Sequence, residues 1–158
     1  MVTTEAWDKQ YHEKGYFIKY PDEDLIRFMA KYFYNAPDRK MIKILDVGSG
    51  AGRNTIYLAK EGFNAFGVEA TDSGIELSKR RQEIEGIDAV FKRGYLTKIP
   101  FPEEYFDAVV DIQAIQHNTY REINEILQEI KRVLKLNGIF FTKMVSTQDH
   151  SFKKGGGN

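Results

Sequence analysis

The stretch Ile44-Leu45-Asp46-Val47-Gly48-Ser49-Gly50-Ala51-Gly52-Arg53 decides the fold of this chain. An apolar run ends there in an acid, and three glycines at alternate positions follow before a helical pattern begins. Because glycine has no Cβ, its backbone can adopt positive φ and lie close to a bound molecule. The stretch therefore predicts a buried strand that turns sharply into a helix, with a ligand held against the turn.

Strand and helix patterns alternate on both sides of this turn. Buried strands are predicted at residues 41–47, 64–69, 88–92, 105–111 and 139–145. Such alternation is typical of an α/β protein with a doubly wound, mostly parallel sheet. The chain has 158 residues and neither an internal repeat nor a linker, so it is expected to form one domain over residues 1–158.

Two of the helices have clear sequence boundaries. The earlier one is predicted to open at Pro21-Asp22-Glu23-Asp24, where proline and acids suit a first turn, and to end near Asn35. Its apolar face is expected to contain Leu25, Ile26, Met29, Ala30 and Phe33. The later helix begins at Thr119, which has capping-box spacing with Glu122, and is expected to end at Asn137-Gly138.

An acid followed by Gly-x-Gly-x-Gly resembles the first motif of the class I S-adenosylmethionine-dependent methyltransferases, and the resemblance runs from about Met41 to Val145. It implies a Rossmann-like sheet of order 3-2-1-4-5 that binds S-adenosylmethionine and releases S-adenosylhomocysteine. A dinucleotide fingerprint would instead place its third glycine at position 53, which is Arg53. Because Arg53 argues against a dinucleotide, an NAD-dependent oxidoreductase fragment is the second hypothesis rather than the first. A catalytically idle cofactor-binding module is the third.

The end of the chain departs from the resembled family, which normally adds a helix and two strands after the fifth strand. Here residues 146–158 form a polar tail instead. The fifth strand would then be a bare edge, with the apolar Phe140 and Phe141 on opposite faces. We expect either a piece of a longer protein or a chain that self-associates, with a homodimer formed through this edge.

Ligands of doubly wound sheets bind beyond the carboxyl ends of the strands, where the strand order reverses. This rule gathers the glycine turn, Glu69 and the loops after Gly94 and Asp111 around one crevice. Glu69 ends the second strand, and its carboxylate can accept hydrogen bonds from both hydroxyls of a ribose. The alternative for Glu69 is a solvated acid at a strand end.

The resemblance also implies a set of cofactor contacts. They are expected from Tyr11, Asp46, Gly48, Ser49, Gly50, Ala51, Gly52, Arg53, Glu69, Ala70, Tyr95, Leu96, Asp111 and Gln113. Asp46 would order the turn and reach the cofactor's amino group through water, or would only cap the turn. Tyr95 follows Gly94 where the family usually has an aspartate for the adenine amino group, so backbone contacts or stacking on Tyr95 are expected there.

His117 is the candidate catalytic residue, in the loop after the fourth strand. Methyl transfer from a sulfonium is an in-line displacement on an activated donor, so alignment and exclusion of water can suffice. A base is needed only if the acceptor must lose a proton early, and an imidazole has a suitable pKa for that task. A structural or substrate-shaping role for His117 is the alternative.

Residues 1–20 are rich in aromatic side chains, including Trp7 and Tyr11. They are interpreted either as a lid over the cofactor or as an aromatic wrap on the surface.

The bulk composition excludes several classes of function. Lys plus Arg and Asp plus Glu total 23 each, which gives no electrostatic case for a nucleic-acid or membrane partner. The chain has no cysteine, so thiolate metal sites and cysteine nucleophiles are excluded, and nothing in the sequence brings its three histidines together as a metal site. Without a signal-peptide pattern, a cytoplasmic enzyme with a small-molecule methyl acceptor is expected.

Overall fold

The computed structural model describes residues 3–14 and 19–146. The helices are α1 (Thr4–Lys14), α2 (Glu23–Phe33), α3 (Arg53–Lys60), α4 (Asp72–Glu85) and α5 (Tyr120–Val133). The strands are β1 (Lys43–Val47), β2 (Asn64–Glu69), β3 (Val90–Arg93), β4 (Phe106–Ile112) and β5 (Leu134–Lys143). Most of the predicted tail, residues 147–158, lies outside the described residues.

The five strands form one parallel sheet of order β3-β2-β1-β4-β5, which confirms the predicted fold class and strand order. In the centre of the sheet, Leu45 of β1 lies opposite Phe66 of β2 on one side and Val109 of β4 on the other. The strand order reverses at β1, so its carboxyl end, where the glycine turn begins, is the expected ligand crevice.

Apolar cores cover both faces of the sheet, and neighbouring residues of β1 belong to different cores. Ile44 packs in a core with side chains of α2, α3 and α4, whereas Leu45 packs in a core with α5 and the loop around Phe101. A strand buried on both faces needs a continuous apolar run, which explains why β1 shows no alternation in the sequence.

The predicted end of the last helix is wrong. α5 ends at Val133, and β5 begins at once with Leu134, which lies opposite Phe106. The register then shifts, so that Ile139 is the next β5 residue paired with β4, and Asn137 has a φ of +65° within the irregular stretch. The Asn137-Gly138 pair is therefore a bulge inside a strand, because bulges and helix ends both favour residues that tolerate positive φ.

The apolar face of α2 also differs from the prediction. Phe28 is buried in the core, whereas Ile26 is 39% exposed. The helix starts at Glu23 behind the N-cap Asp22, whose carboxylate accepts from the backbone N–H of Asp24, and it ends at Phe33, two residues before Asn35.

In the two described ranges, no helix exceeds 14 residues and none could span a bilayer.

Candidate active site

The three glycines of the turn have positive φ, which is +68° at Gly48, +52° at Gly50 and +80° at Gly52. A Cβ at Gly48 would lie 2.3 Å from the Cβ of Ala114, and one at Gly50 would lie 2.4 Å from the hydroxyl oxygen of Tyr11. Glycine is thus favoured at Gly48 and Gly50 for two reasons. The backbone conformation suits glycine, and side chains from two distant elements occupy the space that a Cβ would need.

A cavity of about 330 Å³ lies at this edge of the sheet, between the turn, the end of β2, the loops after β3 and β4, and one side of α1. Most of the predicted site residues line it, namely Tyr11, Gly48, Ser49, Gly50, Ala51, Arg53, Glu69, Ala70, Tyr95, Leu96, Gln113 and His117. The fold therefore brings residues from five separate segments of the sequence to one crevice. Asp46, Gly52 and Asp111 do not line the cavity.

Asp111 lies behind the cavity wall, and its predicted contact with a cofactor stays a prediction. It is fully buried, and its Oδ1 accepts from the backbone N–H groups of Ala114 at 2.9 Å and Ile115 at 3.1 Å. Its Oδ2 accepts from the Thr142 hydroxyl at 2.7 Å. Burial raises its pKa above the ordinary value, against the effect of these hydrogen bonds. Through these bonds Asp111 shapes the loop after β4 and ties it to β5.

The loop shaped by Asp111 also carries Gln113, which lines the cavity with a φ of +66°. Its backbone N–H donates to the carbonyl oxygen of Lys143 at 2.9 Å. Left-handed backbone at a residue other than glycine is uncommon, and it persists where surrounding contacts determine it. Here the backbone of Gln113 is fixed by the hydrogen bonds of Asp111 to the same loop and by the bond from the Gln113 N–H to Lys143.

Asp46 lies beneath the turn, with 1% of its surface exposed. Its Oδ2 accepts from the hydroxyl of Thr55 in α3 at 2.8 Å. Burial raises the pKa of Asp46 to about 7, with the Thr55 hydroxyl and the charge of Arg53 acting in the opposite direction. Asp46 thus joins β1 to α3 across the turn, which is the loop-ordering part of its predicted role.

Gly52, the third residue that does not line the cavity, is the left-handed cap before α3, and a Cβ there would meet Phe91 at 2.9 Å. This glycine therefore serves the packing of the turn on β3.

Glu69 lines the cavity directly beside the turn. Its Oε2 accepts from the backbone N–H of Gly50 at 3.0 Å, and its Oε1 accepts from the N–H and hydroxyl of Thr71 at 2.9 and 2.8 Å. Each carboxylate oxygen has about two acceptor positions, so Oε2 retains one for a ligand. Glu69 is thus not a solvated acid at a strand end. It lies on the cavity side of the glycine turn and stabilises the turn through the bond from Gly50.

Ser49 also lines the cavity, and its side-chain hydroxyl is buried against the Cα of Gly67. Among the described residues this hydroxyl has no hydrogen-bond partner. Buried polar groups are nearly always paired in folded proteins, so the turn contains a polar group that remains to be satisfied. Because this oxygen is almost fully enclosed by protein atoms, a ligand in the cavity could pair with it only if the turn moved.

Arg53 opens α3 at the cavity, and its guanidinium lies 3.9 Å from the carboxylate of Asp22. The same carboxylate accepts two hydrogen bonds of 3.0 Å from Nζ of Lys143, and the backbone N–H of Asp22 donates to the side chain of Asn54. These contacts connect the starts of α2 and α3 with the end of β5. Arg53 is therefore held in place on the cavity wall.

The loop after β3 supplies Tyr95 and Leu96 to the cavity wall, and Ala70 follows the end of β2. Tyr95 is 57% exposed and precedes a short 3-10 turn over Leu96–Lys98. An exposed ring at the mouth of a cavity is available for stacking, so the expected contact between Tyr95 and an adenine ring stays a prediction.

His117 ends the 3-10 turn Ile115–His117 and is half-buried on the cavity wall. Its ring makes an edge-to-face contact with the indole of Trp7, with 5.4 Å between the ring centroids. Burial lowers the pKa of His117 below 6.5, although the charge of Asp111 acts in the opposite direction. The lowered pKa favours the neutral imidazole, which is the form that can accept a proton.

Helix α1 forms one wall of the cavity, as the lid interpretation of residues 1–20 expects; residues 15–18 lie outside the described part of the chain. Further lining residues absent from the predicted set are Thr4, Trp7, Gln10, Asn54, Gly94, Ile112, Ala114 and Asn118. Thr4, Trp7 and Tyr11 recur at spacings of three and four residues, which is a helical face that the sequence could have revealed.

A parallel doubly wound sheet with an acid-braced glycine turn defines a nucleotide-cofactor-binding class of protein. Within this class, the family model of the methyltransferase domain matches residues 45–142, more than half of the chain. The chain therefore belongs to the methyltransferase-domain family, and the resemblance seen in the sequence is confirmed.

Individual relatives agree with this membership. A fatty-acid O-methyltransferase from Mycolicibacterium smegmatis is 33% identical over 123 residues, covering 75% of this chain and 43% of the relative. The structure of the PH0226 protein from Pyrococcus horikoshii superposes with a TM-score of 0.70 at 27% identity, covering 84% of this chain and 65% of that one. A SAM-dependent methyltransferase from Methanosarcina mazei has a TM-score of 0.60 at 25% identity, covering 63% and 50%.

The chain spans 36 to 44% of the length of the first curated relatives that it matches. The match thus concerns one part of longer proteins.

Proposed function

We propose that this chain binds S-adenosylmethionine and transfers its methyl group to a small molecule. The observation that carries the proposal is the position of the Glu69 carboxylate, which lies in the cavity and is hydrogen-bonded to the N–H of Gly50. A ribose at Glu69 would extend its nucleoside toward Tyr95 and its amino-acid end toward the glycine turn. The family membership supports this reading.

The charges beside the turn favour a sulfonium cofactor over a dinucleotide. A pyrophosphate needs a helix N-terminus that is open to an anion. Here the first residue of α3 is Arg53, and the carboxylate of Asp22 lies 3.9 Å from its guanidinium. The carboxylate of Asp22 beside this helix start therefore disfavours a pyrophosphate there, whereas S-adenosylmethionine has no phosphate.

Residues of the chain would align the acceptor and exclude water. The cavity has a volume of about 330 Å³ and is walled by α1, which places Trp7 and Tyr11 over the turn. When bound, S-adenosylmethionine supplies an activated methyl group, so the protein's main task is to position the two reactants. For an acceptor that loses a proton, a ring nitrogen of His117 would take it, since this side chain lines the cavity in its neutral form.

Calorimetry with S-adenosylhomocysteine and with NAD tests the proposal. We expect saturable binding of S-adenosylhomocysteine and none of NAD at the same concentrations. Binding of NAD alone would support the oxidoreductase alternative. Binding of S-adenosylhomocysteine without methyl transfer, in an assay of labelled donor with a panel of small hydroxy, amino and carboxylic acids, would support the idle module.

The role of His117 is tested with His117→Gln, which keeps a polar side chain next to Trp7. If the imidazole is a base, methyl transfer falls by about 10²- to 10⁴-fold. The rise of the wild-type rate with pH, which would level off above the lowered pKa of His117, disappears in the variant. A small loss with an unchanged pH profile would assign His117 to substrate shaping instead.

A further inference from the structure

Helix α1 lies over the cavity and makes a polar contact with the start of α4 through Asp8. The carboxylate Oδ1 of Asp8 accepts from the backbone N–H of Ser73 at 3.0 Å and from its hydroxyl at 2.6 Å. The Ser73 hydroxyl also lies 2.9 Å from the backbone carbonyl of Asp8. The two residues are 65 positions apart in the sequence, so these bonds fix a tertiary arrangement rather than a local turn.

This contact combines several favourable features. Hydrogen bonds to a carboxylate are about twice as strong as those between neutral groups, and the positive end of the α4 dipole attracts the charge of Asp8. Ser73 is 8% exposed and Asp8 is half-buried, so water competes only partly. The hydrogen bond from the Ser73 hydroxyl is the main reason why the pKa of Asp8 lies below its ordinary value.

The same start of α4 is joined to the predicted ribose site. Thr71 donates its N–H and hydroxyl to Glu69 and accepts from the N–H of Gly74 as the N-cap of α4. Asp8 binds Ser73, one residue before Gly74. A ligand at Glu69 and the docking of α1 are therefore connected through a single helix start.

The residues that α1 places at the cavity lie on either side of Asp8 in the helix. Trp7 packs edge-to-face on His117, and the hydroxyl of Tyr11 lies against the Cα of Gly50. The rings of Trp7 and Tyr11 are stacked, with centroids 6.2 Å apart. Without the contact between Asp8 and Ser73, these two rings would lose the polar bonds that fix their helix over the turn.

We infer that Asp8 is a positioning residue, which together with Ser73 sets the affinity of the cavity for its cofactor by holding Trp7 and Tyr11 on the glycine turn. The inference rests on the proposed S-adenosylmethionine site. It adds an energetic coupling between that site and the contact of α1 with α4.

Asp8→Ala and Ser73→Ala test this coupling, and Trp7, the only tryptophan of the chain, reports on it. In each variant we expect red-shifted Trp7 emission and stronger quenching by acrylamide, because the indole leaves His117. We expect the dissociation constant of S-adenosylhomocysteine to rise about 5-fold or more, within the usual range of coupling between sites. Saturating S-adenosylhomocysteine should restore the wild-type emission.

A double variant and a matched control complete the experiment. Asp8→Ala with Ser73→Ala should lose no more affinity than the single variants, because both remove the same contact. Glu13→Ala removes an exposed carboxylate from the same helix, which forms an ion pair with Lys9 at 3.7 Å, and should bind as the wild type does.

Unchanged Trp7 emission and an affinity within twofold of wild type in both single variants would overturn the inference. If the wild-type chain binds no S-adenosylhomocysteine, the proposed function fails, while the emission of the variants still decides whether Asp8 holds α1 in place. Emission shifts that S-adenosylhomocysteine cannot reverse, with unchanged affinity, would limit the contact to a structural role and refute the coupling.

Discussion

Glu69 has two roles at the scale of single residues, since it faces the cavity and also braces the turn through Gly50 and Thr71. Truncation to alanine would remove both roles at once. Glutamine separates them in part, because its amide oxygen can still accept from Thr71 while its NH₂ group meets the N–H of Gly50, which is also a donor.

We predict that Glu69→Gln weakens the binding of S-adenosylhomocysteine by about 1 to 3 kcal/mol, the usual cost of leaving a buried polar group unpaired. Isothermal titration calorimetry measures this loss, with Glu76→Gln on the exposed side of α4 as the control. Equal affinities of Glu69→Gln and wild type would remove Glu69 from the ligand site.

Asp46 makes stability depend on pH. Burial raises its pKa from 3.8 to about 7, so between these values the folded state binds more protons than the unfolded state. The free energy of unfolding therefore falls as the pH rises through this window. Asp111 contributes in the same direction and His117 in the opposite one, below pH 6.5.

We predict that Asp46→Asn gains stability relative to wild type as the pH is raised from about 4 to about 7. Each pKa unit corresponds to 1.36 kcal/mol, so the full difference is on the order of 4 kcal/mol. Urea denaturation at pH 4, 5, 6 and 7 gives the difference in stability between the two proteins, from which the pH effects of Asp111 and His117 largely cancel. Asp88→Asn, at an exposed site, is the control. A difference that is constant with pH would refute the prediction.

At the scale of elements, the start of α5 is defined by a complete capping box. The hydroxyl of Thr119 accepts from the N–H of Glu122, and the carboxylate of Glu122 accepts from the N–H of Thr119 at 2.8 Å. Because α5 buries Ile126, Ile130 and Val133 in the core beside the cavity loop, its start affects the whole domain.

Thr119→Ala is expected to lower the free energy of unfolding by about 1 kcal/mol, the usual cost of losing an N-cap side chain. Chemical denaturation followed by circular dichroism measures this loss. Tyr120→Ala, one residue further on at an 89% exposed position, should change stability much less. If both variants were equally stable, the capping box would contribute nothing measurable.

At the scale of the whole molecule, β5 is an edge strand. Among residues 3–14 and 19–146, no strand pairs with its outer side. A groove of about 610 Å³ runs between β5 and α2, lined in part by Phe28, Tyr32, Phe141 and Met144. Tyr32 is 50% and Met144 is 49% exposed. Since an apolar edge favours pairing with another chain, we propose that two copies associate through this edge.

Sedimentation equilibrium over a range of concentrations tests the association, and we expect the mass to rise from 18.3 kDa toward twice that value. Tyr32→Lys places a charge in the groove and should shift the equilibrium to the monomer. Tyr34→Lys adds the same charge outside the groove, at a 69% exposed position, and should not. A mass of one chain at every concentration would contradict the proposal.

The sequence by itself was sufficient to predict the sheet, the glycine turn, the capping box of α5 and the acid at the end of β2. These features depend on apolar periodicity, on positive φ and on side-chain bonds between near neighbours, all of which act within a few residues. The Asn137-Gly138 pair shows the limit of such reasoning. The same two residues suit a helix end and a strand bulge, and the register of β5 against β4 decides between them.

Only the tertiary structure decided how the cavity is closed. It brought Ala114 and Tyr11 onto the glycines, bonded Asp111 to the backbone of the loop after β4, and joined Asp8 to Ser73. Each of these contacts links residues on different elements or around a loop whose shape depends on its neighbours. Local patterns specify the elements, whereas the docking of one element on another depends on the packing of the entire core.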